Sequence, residues 1–179
     1  MNKIILSLFS ILILFFITPS FSEEKLIFGK AKVIDGDTIK INGENIRLHG
    51  IDSPEIKQVC QNKDNNPYPC GVAAKDFLNS YISRAEIKDM KKDISSKTHG
   101  FVYCYYSERD RYKRIIGKCY LGANSSNSLN KRMVREGHAV AYTRYSNDYI
   151  GAQNDAKDWS RGIWRGKFDL PEEWRRKNK

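Results

Sequence analysis

Apolar and polar residues alternate with period two over three early stretches of the chain, the pattern of half-buried strands. Residues 26–34 read as one strand that ends in Val33 and Ile34. Thr38-Ile39-Lys40-Ile41 alternates, and so does Ile46-Arg47-Leu48-His49-Gly50-Ile51. Between them stand Asp35-Gly36 and Asn42-Gly43, both tight-turn dipeptides, and Asn-Gly is the strongest short hairpin signal. Residues 26–51 therefore predict a three-stranded meander.

The period then changes. Residues 52–70, rich in Pro, Asn and Asp, read as a loop. Ala74, Phe77, Leu78, Tyr81 and Ile82 recur at i, i+3, i+4, i+7 and i+8, one apolar helical face. Residues 83–100 are basic and polar and their period is ambiguous, with Ala85-Glu86-Ile87 a candidate strand start. Residues 101–106 and 115–121 predict two strands around a charged turn at 107–111. Asn127 or Ser128 caps a second helix that points Leu129 and Met133 inward and ends at Gly137. A third helix is expected over about 147–160, followed by a tail with Trp164, Pro171 and Trp174. The fold class is α+β, mainly β, in one domain. Five short strands with helices between and after them make an OB-type barrel the natural candidate, although periodicity alone does not choose it.

Composition narrows the partners. The 179 residues carry 31 Lys+Arg against 21 Asp+Glu, a formal charge of +10. A chain with 40% hydrophobic residues is neither collagen-like nor built for disorder, and the basic excess points to an anionic partner: nucleic acid, phosphorylated ligand or acidic membrane. Residues 1–22 combine Lys3, an apolar run broken only by Ser7 and Ser10, and small residues Ser20 and Ser22 before Glu23. That is the pattern of a secretory signal peptide, with an uncleaved anchor as the alternative. The expected mature chain, 23–179, loses only Lys3 among its charges and keeps a net +9. It is expected to be soluble and monomeric, and secreted or periplasmic. All four cysteines lie in it, and an oxidising compartment favours disulfides. Three connectivities are possible, and two local bridges are favoured: Cys60–Cys70, closing a loop that contains Asn65, Asn66, Pro67 and Pro69, and Cys104–Cys119, facing each other across a hairpin. Zinc is disfavoured, because no C-x-x-C pair occurs and the histidines are scattered.

The acidic residues carry the chemistry. Asp35-Gly36-Asp37 is followed by Asp52 and Glu55, and pairing of the second and third strands brings Asp37 and Asp52 to one end of the sheet. Two carboxylates with carbonyls and water make a site for a hard cation, Ca²⁺ or Mg²⁺. An EF-hand is excluded, since counting from Asp35 places Ile39, Lys40 and Ile46 where a ligand, Gly and Glu are required. Read alone, Asp-Gly-Asp is only a turn. Arg47 and Arg114 change that weighing, because a guanidinium fork binds two phosphate oxygens at once and stays charged. Two arginines, a hard cation and a free carboxylate are the parts needed to hydrolyse a phosphodiester. His49, His99 and His138 read as structural or solvated, so no histidine base is expected.

Taken in order, the segments Val33-Ile34-Asp35-Gly36-Asp37-Thr38, Ile46-Arg47-Leu48 with Ile51-Asp52-Ser53-Pro54-Glu55, and Asp110-Arg111-Tyr112-Lys113-Arg114 resemble the staphylococcal nuclease family. Residues 133–139 and Arg161-Gly162-Ile163-Trp164 look like that family as well, so the resemblance spans roughly 30–166. It implies a five-stranded OB-fold barrel with about three packed helices, and a Ca²⁺-dependent endonuclease that cuts DNA or RNA. By motif position it implies Asp37, Asp52 and the Ser53 main-chain carbonyl as metal ligands, with Asp35 as a further acid near the metal. Glu55 would be the general base, Arg47 and Arg114 the phosphate-binding arginines, and Tyr112 a neighbour of the bound nucleotide. The 5′-oxygen would leave, giving 3′-phosphate ends. Tyr112 and Tyr145 could stack unpaired bases, so single-stranded substrate is expected. Ser53 stands where the family has Thr, Lys113 where Gly is common, and the two cysteine pairs are additions. The alternative is a non-catalytic nucleic-acid- or protein-binding module on the same barrel. Seven basic residues in 161–179 read as a solvated tail or as extra backbone contacts, outside the site.

Overall fold

A computed structural model describes residues 23–92, 101–122 and 125–179, with side chains omitted for 85–92. The expected signal segment and His99 lie outside the described residues. The chain runs β1 (Lys25–Gly29), β2 (Lys32–Val33), β3 (Thr38–Ile41), β4 (Glu44–Leu48), β5 (Ile51–Asp52), β6 (Cys60–Gln61), β7 (Pro67–Tyr68) and α1 (Cys70–Lys92). It continues with β8 (Val102–Arg109), β9 (Ile115–Leu121), α2 (Leu129–Arg135), β10 (Val140–Ala141), α3 (Ile150–Asp158), a 3₁₀ turn at Gly162–Arg165 and α4 (Pro171–Lys177).

The main sheet has the order β1-β8-β9-β4-β3-β2, antiparallel throughout except for β4 beside β9. Its two edge strands are the halves of one segment. The stretch expected as a single strand, 26–34, breaks after Gly29, and its first half pairs with β8 while its second pairs with β3. The meander expected over 26–51 is thus confined to β2, β3 and β4. The physical reason is closure. A curled sheet leaves open backbone groups at both edges, and one kinked strand that lends a half to each edge satisfies both. The Asn42 side chain donates to the Phe28 carbonyl at 3.1 Å and holds the kink. Counting β1 and β2 as one strand, the result is the five-stranded OB-fold barrel, α+β and mainly β.

Local chemistry explains most elements. Asn42 and Gly43 have φ of 49° and 87°, the two left-handed residues of the tight turn that joins β3 to β4. Ile39, Ile41, Ile46 and Leu48 alternate into the barrel and are fully buried. Cys104 and Cys119 face each other in register on β8 and β9 and are bonded, and Cys60 is bonded to Cys70. The barrel is plugged by Ala74, Leu78 and Ile82 of α1 and by Leu129, Met133 and Val134 of α2. Ser128, of the two candidate caps, accepts from the Lys131 amide at 3.1 Å. Asn130, fully buried on α2, accepts from the Cys119 amide at 3.0 Å and donates to the carbonyls of His49 at 2.9 Å and Gly117 at 3.1 Å. One side chain therefore stitches the helix to β9 and to the exit of β4.

Four expectations are corrected. Residues 85–87 do not begin a strand; α1 runs on to Lys92, because SRAEIKDMKK is made mostly of good helix formers without Gly or Pro. The strand expected at 101–106 extends through a bulge to Arg109, which moves the turn to residues 110–113. The third helix is the shorter Ile150–Asp158. The tail forms a fourth helix, α4, with Pro171 opening it, Glu172 and Glu173 in its first turn and Arg175, Arg176 and Lys177 in its last.

His138 stacks on Phe77 with ring centroids 4.1 Å apart and joins the end of α2 to α1. Burial, aided by the positive charge of Arg165, lowers its pKa to about 4. The unfolded chain then binds a proton near pH 6.5 that the folded chain refuses, so stability is full above that pH and falls as pH drops toward 4. The loss should be on the order of 3 kcal/mol. Urea unfolding at pH 7 and pH 4.5 should show a drop in midpoint that is clearly smaller in His138→Phe. Equal drops in both proteins would contradict this.

Candidate active site

The site forms where the β2–β3 turn meets the exit of β4 and the short strand β5. Asp35 Oδ1 accepts from the Asp37 amide at 3.0 Å, which fixes the turn. Gly36 lies so close to Ser53 that an added Cβ would fall 2.8 Å from the Ser53 Cβ and 2.9 Å from that of Ala74, so only glycine lets the turn settle there. Across that contact the Ser53 amide donates to Asp37 Oδ2 at 2.8 Å, and Thr38 Oγ1 donates to Asp37 Oδ1 at 3.2 Å. Ser53 Oγ donates to the His138 carbonyl at 2.9 Å, which locks the peptide that follows Asp52. Asp52 is paired with Val140 of β10, and its side chain is 1% exposed.

Arg47 stands opposite Thr38 in the β3–β4 register. Its guanidinium forms an ion pair with Asp37 and a second with Asp52 Oδ1 at 3.0 Å. Burial pulls the Arg47 pKa below its ordinary value, opposed by the charges of Asp52 and Asp35. An arginine stays protonated even so. Arg114 is aimed differently. It follows a tight turn in which Lys113 adopts φ of 65°, the left-handed conformation that glycine takes most easily. The turn is held by Lys113 donating to the Asp110 carbonyl and Arg109 donating to the Lys113 carbonyl. Asp110 accepts from the Arg114 amide at 2.9 Å and from its Nε at 2.8 Å, and its carboxylate also pairs with Arg114 Nη2. Partial burial would raise the Asp110 pKa, but these bonds to Arg114 outweigh it and hold the carboxyl below its usual range.

Glu55 projects from the loop after β5, half-exposed, with its amide donating to Gln58 Oε1 at 3.2 Å. The wholly buried Gln58 reaches on to the Asp169 carbonyl at 2.8 Å, so the loop that carries Glu55 is tied to the start of α4. Asp35, Asp37, Arg47, Glu55 and Arg114 all line one open cleft of about 1200 Å³, with Tyr112 and Tyr145 exposed on its rim. Asp52 is buried and meets the cleft through its ion pair with Arg47. His49 lies in the cleft wall, and His138 is set behind Ser53.

One residue of the cleft was not anticipated. Arg175 of α4 donates from Nη1 to Asp52 Oδ1 at 2.9 Å and to Glu55 Oε1 at 2.8 Å, and from Nη2 to Asp52 Oδ2 at 2.9 Å. Burial alone would lower its pKa; the bonds to Asp52 and Glu55 reverse that and raise it. The reading of the basic tail as lying outside the site is corrected at this position. The signal available in the sequence was Pro171-Glu172-Glu173, which marks a helix start. Nothing in it says where the helix docks.

Among the described residues no group of three or more His, Cys, Asp or Glu side chains converges as a ready metal site. The carboxylates that meet Arg47 and Arg175 are Asp37, Asp52 and Glu55. That donor set is all hard oxygen, the chemistry of Ca²⁺ or Mg²⁺ and not of zinc. The position beside Asp52 and Glu55 also accepts positive charge, because Arg175 places one there.

Comparison with known proteins identifies the family. Residues 45–166 match the staphylococcal nuclease homologue family. The succinoglycan biosynthesis protein ExoI of Rhizobium meliloti (strain 1021) is 32% identical over 118 residues, 65% of this chain and 53% of that protein. A protein of Escherichia coli named as an uncharacterized endonuclease is 37% identical over 84 residues, 46% of this chain and 52% of its own length. One of the same name from Haemophilus influenzae (strain ATCC 51907 / DSM 11121 / KW20 / Rd) is 35% identical over 74 residues, 40% of each chain. The chain spans about half the length of these curated relatives, or less. The matched segment runs from β4 through the 3₁₀ turn at Gly162–Arg165, more than half of the chain, and the chain belongs to the staphylococcal nuclease family.

Proposed function

We propose that this protein is a metal-dependent endonuclease that hydrolyses phosphodiester bonds of DNA or RNA and leaves 3′-phosphate ends. The observation that carries the reading is the meeting of Arg47, Asp37, Asp52, Glu55 and Arg114 at one cleft. Family membership and relatives named as endonucleases support it. Asp37, Asp52 and the Ser53 carbonyl would hold Ca²⁺. When bound, the ion would supply positive charge against the scissile phosphate.

The rest follows from the chain's own groups. Arg47 spends one terminal nitrogen on Asp37 and the other on Asp52, and still has N–H groups to offer a phosphate oxygen. Arg114, oriented by Asp110 through Nε and Nη2, keeps Nη1 for the same phosphate. Charge growing on the phosphate oxygens in the transition state meets guanidinium groups that are already in place. Glu55, at the open side of the cleft, takes the proton of the attacking water. The water oxygen bonds to phosphorus as the P–O5′ bond breaks, and the departing 5′-oxygen keeps the bonding pair and takes a proton from solvent. Tyr112 is 65% exposed and Tyr145 is 62% exposed at the rim, which supports stacking of unpaired bases and a preference for single strands. The +9 of residues 23–179 favours a polyanion. The pairing of all four cysteines supports export and a secreted or periplasmic location, with residues 1–22 as the signal. The protein acts as a monomer.

Cleavage of single-stranded DNA should require Ca²⁺ and stop with chelator. Glu55→Gln should lower kcat by about 10²–10⁴-fold. Each of Arg47→Ala and Arg114→Ala should cost about 10²–10³-fold. Metal-dependent cutting by the native protein no faster than by Glu55→Gln would sink the proposal. Tyr112→Ala should weaken single-strand binding by about 1–3 kcal/mol and leave duplex binding nearly unchanged. In a fluorescence titration, native binding should fall with salt at a log–log slope of about −0.7 per phosphate contacted. A flat salt response would remove the electrostatic part of the account.

A further inference from the structure

The contact between α4 and the carboxylates of Asp52 and Glu55 goes beyond nuclease activity, and its interpretation rests on that reading. Arg175 grips Asp52 with both prongs of its guanidinium and takes one oxygen of Glu55 as well. With Arg47 on Oδ1 from the other side, both Asp52 oxygens are committed to arginine. A divalent ion of the hard class draws its oxygens to about 2.3–2.6 Å. Asp52 Oδ1 carries two guanidinium bonds and Oδ2 one, so an ion drawn to Asp52 meets a position already filled by positive charge. One oxygen of the candidate base is occupied by the same guanidinium.

The helix that delivers Arg175 is built to let go. α4 has 7 residues, too few to be stable alone. Among the described residues its ties to the body, besides Arg175, include the buried Pro171, the half-buried Trp174, the Gln58–Asp169 bond that precedes it and the exposed Arg144–Glu172 pair at 3.0 Å. Exposed pairs hold weakly. Short elements with few buried contacts open at low cost.

We propose that Arg175 is a built-in competitor of the divalent cation: α4 lays a guanidinium between Asp52 and Glu55, and metal binding must displace it before the cleft can act. The arginine neutralises Asp52 when no ion is bound. It thereby removes the penalty of a buried, unpaired carboxylate. Ion and guanidinium are alternative occupants of one charge position, and each weakens the other by the same factor.

The experiment titrates Ca²⁺ into native protein, Arg175→Ala, Arg175→Lys and Arg176→Ala by calorimetry, without nucleic acid, and follows the Ca²⁺-induced rise in Tm. Arg175→Ala should bind Ca²⁺ more tightly by about 5- to 150-fold, the usual range of coupling between two sites. It should also be less stable than native without Ca²⁺ and gain more Tm from it. Arg175→Lys, which keeps the charge and gives up the fork, should tighten by a smaller factor. Arg176→Ala removes a neighbouring charge and should match native. The Ca²⁺ concentration for half-maximal cleavage should fall in parallel, with the rate at saturating Ca²⁺ unchanged. Equal or weaker Ca²⁺ binding by both Arg175 variants overturns the proposal, as does an equal gain from Arg176→Ala. A lower rate at saturating Ca²⁺ with unchanged affinity overturns it too, and makes Arg175 a substrate contact. Tighter Ca²⁺ binding by Arg175→Ala with no cleavage by any form upholds the competition and refutes the nuclease reading alone.

Discussion

Two carboxylates set below the surface, Asp37 and Asp52, impose the main constraint on this molecule. A buried carboxylate without a partner costs several kcal/mol, so each must meet a cation or a set of N–H groups. Arg47 answers both at once, and the Ser53 amide completes Asp37. Arg47 lies on β4, Asp37 precedes β3, and Asp52 ends β5. The pair of bridges therefore holds only in one register. A slip of one residue in the β3–β4 pairing would turn Arg47 to the opposite face, into the apolar barrel. The same interaction that assembles the cleft specifies the strand pairing next to it.

The remainder of the fold supplies rigidity to that corner. The kinked first strand closes the barrel, and Asn130 bonds α2 to both β9 and the exit of β4. The Cys104–Cys119 bond lies within the core between β8 and β9, the strands whose turn aims Arg114. The second bond closes the loop beyond Glu55 against the start of α1. Side chains that must act together are thus carried by well-braced backbone, which is what catalytic positioning demands. The exceptions are Glu55, on a loop, and Arg175, on a short helix. Under the proposed competition they are also the two groups whose contact must change when the ion binds.

Much of this was legible in the residues. The turn dipeptides, the period-two strands, the helical face of α1 and both disulfides depend on neighbours within about fifteen positions, where local geometry dominates. The convergence of Asp37, Arg47 and Asp52 was legible as well, because a single Asn-Gly turn sets the register that joins them. The split of the first strand was not. Its first half is recruited by the free edge of β8, some eighty residues on, and no local pattern encodes that demand. The extension of α1 through Ile87 and the fourth helix were present as propensity and as a Pro-Glu-Glu start, signals weaker than the strand-like and tail-like readings they competed with.

The sequence by itself determined the chemical inventory: four acids and two arginines in motif spacing, cysteines suited to an oxidising compartment, and a basic surplus. It also determined the elements whose stabilising contacts are local. The tertiary structure decided which basic residue faces which acid. Arg175 meets Asp52 across 123 positions of sequence, and only the docking of α4 puts it there. Composition counted that arginine as one unit of surplus charge in a solvated tail. Folding made it the counterion of the most buried carboxylate in the cleft, because charge taken out of water is stable only beside its opposite.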